Sequence, residues 1–121
     1  MKSRNDELLP ALRYWVKADQ EKLRKEGWVL KLDDSRADWE KGSLSLAIDG
    51  EARLGQLTVW STGEAELECA EIATGNVRRE HRDLVSPPDL QDALQELMEW
   101  LNADSPKRRR RWGRARRPKT G

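Results

Sequence analysis

The chain predicts an α+β fold in two layers. An N-terminal helix leads into an antiparallel meander of four to five strands, and a C-terminal helix follows, with both helices on one face of the sheet. Three observations predict it. Apolar residues recur at helical spacing near both ends of the chain and at a period of two between them. Turn signals at Asp49-Gly50, Thr62-Gly63 and Thr74-Gly75-Asn76 cut the middle into short segments. The apolar stripe of the second helix must also be buried, and the sheet offers the only large surface for it.

The first helix begins near Asn5 or Asp6, either of which can cap exposed amides. Leu8, Leu12, Trp15, Val16 and Leu23 fall mostly on one stripe. Pro10 is tolerated only in a first turn, so the start lies close to residue 7. Lys22, Arg24 and Lys25 suit the negative end of the helix dipole, and Gly27 is a left-handed stop. From Trp28 the period becomes two, with Leu30 and Leu32 in phase with it. Leu44, Leu46 and Ile48 alternate with Ser43, Ser45 and Ala47, and residues 52–60 and 64–72 form the next two strands. Val77 to Leu84 reads as a charged edge strand. Ser86-Pro87-Pro88-Asp89 is a helix-start signature, with Ser86 as cap and Pro87 in the first helical position. Leu90, Leu94, Leu97 and Leu101, broadened by Ala93 and Met98, form the second helical stripe.

A chain of 121 residues with 37% charged and 36% hydrophobic side chains suits one small soluble domain and excludes collagenous, membrane and disulfide-scaffold classes. No apolar run approaches the roughly 20 residues a spanning helix needs. The opening MKSRNDELLPALR has no continuous apolar stretch of the secretory kind. A single cysteine, Cys69, cannot form an internal disulfide, so a cytoplasmic setting is expected.

The net charge of +1 conceals a division. Residues 105–121 hold nine basic and no acidic side chains, which leaves 14 basic against 22 acidic in residues 1–104, a net of −8. An acidic α+β globular domain over 1–104 and a basic, disordered tail over 105–121 are expected to attract different partners.

The register of the central hairpin decides what its open face carries. A two-residue loop at Thr62-Gly63 would turn Leu57 and Val59 to the side of Glu64, Glu66 and Glu68. A three-residue loop, Ser61-Thr62-Gly63 with Gly63 left-handed, places Leu57 opposite Leu67 and Val59 opposite Ala65 on the core side. Thr58 and Gln56 then oppose Glu66 and Glu68, and Trp60 meets Glu64. An exposed tryptophan beside three aligned carboxylates costs stability in isolation and makes sense beneath a basic partner. The plainer alternative is the solvated face of an amphipathic strand. Trp60, Glu64, Glu66 and Glu68, joined by Asp38 and Trp39 of the stretch Asp38-Trp39-Glu40, are the candidate partner-binding residues.

Catalytic motifs are missing. The single histidine, His81, has neither a G-x-S-x-G elbow nor a matched cysteine spacing beside it. One His and one Cys give no zinc signature, and Asp33, Asp34 and Asp38 lack the glycine and terminal glutamate of a calcium loop. The glycines are dispersed and form no phosphate cradle. Cys69 lies in an apolar phase and reads as a small core residue. Neither catalysis, nor a cofactor, nor a metal is expected.

Six tryptophans stand out in a chain with no phenylalanine. Trp15 and Trp28 read as core and Trp100 flanks the second helical stripe. Trp39 and Trp60 are the candidate binding anchors, with an aromatic lid at the core edge as the alternative for each. Lys107 to Lys119 can meet phosphates or an acidic surface, with Trp112 available for stacking, or can serve as a solubilising extension.

The run Leu54-Gly55-Gln56-Leu57-Thr58-Val59-Trp60-Ser61-Thr62-Gly63-Glu64-Ala65-Glu66-Leu67-Glu68, with Glu80-His81-Arg82 and the helix from Ser86 to Leu101, resembles the TriTu family of bacterial immunity proteins. The resemblance covers roughly residues 8–102 and omits the basic tail. Such proteins accompany polymorphic toxins delivered between competing cells. The resemblance implies a cytosolic, non-catalytic protein that binds a cognate toxin and blocks it, and it transfers no binding residue. Two other classes fit the composition: an acidic secretion chaperone, which would dimerise around an extended client, and a nucleic-acid binder acting through its Arg-rich tail.

Overall fold

The computed structural model describes residues 7–36 and 40–103. The expected cap residues Asn5 and Asp6, the anchor candidates Asp38 and Trp39, and the basic segment 105–121 lie outside the described residues. The elements run α1 (Leu8–Lys25), β1 (Val29–Asp33), β2 (Ser43–Asp49), β3 (Arg53–Trp60), β4 (Glu64–Glu71), β5 (Val77–Asp83) and α2 (Pro87–Leu101). The five strands pair antiparallel in sequence order, as a meander.

Gly27, at a φ of 102°, stops α1. Its amide donates to the Arg24 carbonyl and the Trp28 amide reaches back to the Leu23 carbonyl, each at 3.0 Å. These two bonds satisfy carbonyls that the last turn leaves open. Pro87 occupies the first turn of α2 as expected, but the Ser86 hydroxyl makes no capping bond. The adjacent prolines explain this, because neither Pro87 nor Pro88 has an amide to offer. The next amide, of Asp89, donates to the Ser86 carbonyl at 3.0 Å. The Asp89 carboxylate accepts instead from the Val85 amide, at 2.8 Å.

One face of the sheet is buried. Leu44, Leu46 and Ile48 of β2, with Leu57, Val59 and Leu67 of β3 and β4, have no exposed surface. Leu8, Leu12 and Val16 of α1 and the full stripe of α2 cover them. Each such side chain removed from water contributes about 1.5–3 kcal/mol before the entropy of ordering it is counted. Trp15 and Trp28 pack partly buried against this core, and Trp100 belongs to it. Gly55 lies in the core phase of β3, where a β-carbon would come within 2.9 Å of Leu101. The missing side chain lets the last turn of α2 settle onto the strand.

The C-terminus of α2 carries no basic residue of its own. Arg53 of β3 supplies one, donating from Nη1 to the Trp100 carbonyl at 2.8 Å. A cation there complements the helix dipole. Arg78 of β5 stacks on the Trp100 ring at 4.1 Å from its centroid, and Arg82 pairs with Glu96 of α2.

The β3–β4 hairpin has the three-residue loop. Gly63, at a φ of 105°, donates its amide to the Trp60 carbonyl at 2.9 Å. Leu57 faces Leu67, Val59 faces Ala65, Gln56 faces Glu68 and Thr58 faces Glu66. Leu57→Ala should therefore cost about 2–5 kcal/mol in urea denaturation, and Gln56→Ala within about 0.5 kcal/mol. Equal costs, or the reverse order, would show that the strand is slipped by one residue.

Candidate functional site

Strand alternation places four cross-strand rows on the face that no helix covers. At one end Trp60 and Glu64 flank the hairpin loop, with Ser43 opposite Trp60 and Asp83 opposite Glu64. Next come Asp33, Ser45, Thr58, Glu66 and His81, one from each strand in order. Within that row the hydroxyls of Ser45 and Thr58 lie 3.0 Å apart. Lys31, Ala47, Gln56, Glu68 and Arg79 make the third row. Val29, Asp49, Leu54, Ala70 and Val77 make the fourth.

Four of the six sequence-selected residues thus come together. Trp60, half-buried, stands at one end of a band formed by Glu64, Glu66 and Glu68. The band differs from the sequence expectation in two respects: Trp60 is half-buried rather than exposed, and the carboxylates are not left to repel one another. Lys41 Nζ lies 3.0 Å from Glu64, His81 Nδ1 is 3.6 Å from Glu66, and Arg79 Nη2 is 2.7 Å from Glu68. The Glu68 carboxylate holds Arg79 protonated, raising its pKa above the ordinary arginine value by a hydrogen bond and by charge. The Lys41 and Arg79 pairs, weak as exposed pairs are, relieve the ladder, and His81 adds to them when protonated. The folded chain therefore tolerates this face without a partner.

The face keeps a negative field nonetheless. Its strands carry six carboxylates, Asp33, Asp49, Glu64, Glu66, Glu68 and Asp83, against the cations Lys31 and Arg79, with Lys41 reaching in from the preceding loop. The Ser35 amide, 3.0 Å from Asp33, lowers the pKa of that carboxyl and keeps it charged.

His81 lies between Glu66 and Asp83, half-exposed, with its Nε2 3.2 Å from the Asp83 carboxylate. Cys69 points to the other side of the sheet, into the core. Burial pushes its thiol pKa up, against the opposing influence of Arg53, so thiolate is scarce where a nucleophile would need it. Among the described residues no group of three or more His, Cys, Asp and Glu could hold a metal ion. A groove of about 660 Å³ between α1 and α2 is lined mostly by apolar side chains, among them Trp15 and Leu94, on the layer away from this face.

Residues 11–100 match the family model of the immunity protein TriTu. The chain belongs to the TriTu immunity protein family. No curated protein and no solved structure matches it. The TriTu match spans all five strands, and so every residue of the open face. Among the described residues no helix is long and apolar enough to cross a membrane.

Sequence reasoning missed the apolar end of this TriTu face. Val29 and Val77 are each 53% exposed and Leu54 40%. The signal was in the register. Leu54 stands an odd number of positions from Leu57, so once Leu57 faces the core Leu54 must face away. For Cys69 the expected result is slow alkylation of the folded protein by iodoacetamide at neutral pH, rising to the rate of a free thiol on unfolding. Equal rates in the two states would mean the thiol is neither buried nor held neutral.

Proposed function

We propose that this chain is a non-catalytic immunity protein that binds a cognate bacterial toxin domain through the open face of its sheet and occludes it in the cytosol. The observation that carries the reading is the helix-free face with Trp60 at the end of a carboxylate band. Membership of the TriTu immunity family supports it from an independent direction. The chemistry of the face sets the chemistry of the partner. Toxins that act on nucleic acid have basic clefts, and an acidic surface draws such a cleft into encounter and covers the groups that would hold the phosphates. Tryptophan at the edge of such a band is the residue type that most often carries interface energy.

The site proposed is Trp60, Glu64, Glu66 and Glu68, with Asp38 and Trp39 from the stretch of sequence before β2. The acidic domain of residues 1–104 does the binding, and the basic segment 105–121 is dispensable for it. Reversing the three glutamates together (Glu64→Lys, Glu66→Lys, Glu68→Lys) should weaken toxin binding by well over tenfold, or more than about 1.4 kcal/mol, in calorimetric titration. Each reversal also breaks an internal pair, so a thermal melt accompanies the titration. A variant that melts like the parent and binds as tightly removes these residues from the site. Deleting residues 105–121 should leave toxin affinity within about twofold, whereas a nucleic-acid binder working through that segment would lose its binding and its steep salt dependence.

A further inference from the structure

The open face has a second half that the carboxylate band does not use. Six large apolar side chains are exposed among the described residues, and four of them, Val29, Leu54, Ile72 and Val77, gather at one end of this face. Leu54, Ala70 and Val77 are direct neighbours across β3, β4 and β5. The Ile72 amide bonds the Ala52 carbonyl at 3.0 Å, which carries the β3–β4 ladder one step further. Val29 stands in the same row on β1, across Asp49. Single exposed apolar residues are ordinary, but a row of them on a helix-free face is not. Strands whose outward positions merely meet water take polar residues there, and the two middle rows of this same face do so at every position but Ala47.

We infer that this row is the anchor of the toxin contact: Leu54, Ala70 and Val77, with Val29 and Ile72 beside them, pack against an apolar patch next to the basic surface of the toxin domain. The inference rests on the immunity reading and assigns the two halves of the face different work. The occupant follows from charge complementarity, since six carboxylates continuous with the apolar row select a cationic protein surface and disfavour an anionic one. Exposed charges act over about a Debye length of 10 Å and set the rate of encounter. Desolvated apolar contacts act only once water has left and set how long the complex lasts.

The test measures association and dissociation of an inactivated form of the toxin domain encoded beside this gene, from low to high salt. The double variant Leu54→Thr with Val77→Thr keeps strand propensity while removing apolar surface. It should dissociate at least tenfold faster, with association rate and salt dependence unchanged, whereas the triple glutamate reversal should slow association and alter its salt dependence. Should the double variant fail to melt like the parent, Val77→Thr alone, on the edge strand, is read instead and should dissociate several-fold faster. A folded variant that dissociates at the parental rate overturns the anchor while leaving the immunity reading intact. A parent chain that does not bind this domain overturns the immunity reading, and the anchor with it.

Discussion

Burial of one face of the sheet beneath α1 and α2 is the constraint from which the rest of this structure follows. Leu44, Leu46, Ile48, Leu57, Val59 and Leu67 are withdrawn from water together, and the two helices have nowhere else to place their stripes. Alternation then determines the opposite face residue by residue, because a strand that turns one side chain inward must turn the next outward. Three small backbone features hold that arrangement in register. Gly63 sets the length of the β3–β4 loop, Gly27 ends α1 where β1 can begin, and Gly55 opens a seat for Leu101. Arg53 adds a polar tie, joining β3 to the Trp100 carbonyl in the last turn of α2.

The charges on the open face work on two scales. At short range Glu64 and Glu68 each have a cation of the same molecule within 4 Å, and Glu66 has the His81 imidazole beside it, so much of the band is locally balanced. At longer range the carboxylates outnumber the cations, and a partner some distance away meets a negative field. The two facts are compatible because pairing in high dielectric costs and yields little, while the summed field of a surface survives it. Folding stability therefore gives no reason for a partner here. In the proposed complex the reason lies in the field and in the apolar row beside it, neither of which the core requires.

Much of this was legible in the sequence where a single local rule governed. The helical stripes, the period-two segments and the choice between two hairpin loops each followed from apolar spacing, and the parity argument at Leu57 and Leu67 placed the glutamates on the open face. What was not legible depended on contacts distant in the chain. Lys41 reaches Glu64 across a loop and a hairpin, and Arg53 finds the end of a helix that begins more than thirty residues later. The Ser86 hydroxyl failed to cap because two prolines removed its donors and Asp89 reached one residue further back, a competition that the motif alone does not reveal. The apolar row obeys the same parity rule, through the odd spacing of Leu54 from Leu57 and its pairing with Ala70.

The charged strand β5 bears on how any partner can approach. Six of its seven residues, Arg78 through Asp83, are ionisable, and they project alternately to the two sides of the sheet. An incoming chain that tried to prolong the meander there would bury a guanidinium or carboxylate with nearly every step, at a cost its main-chain bonds do not recover. Growth by strand addition is thereby discouraged along that border, which turns association away from the backbone and toward side chains. On the proposed reading, specificity resides in residues that can be exchanged without disturbing the interior, so a lineage of such proteins can change its recognition while keeping its architecture.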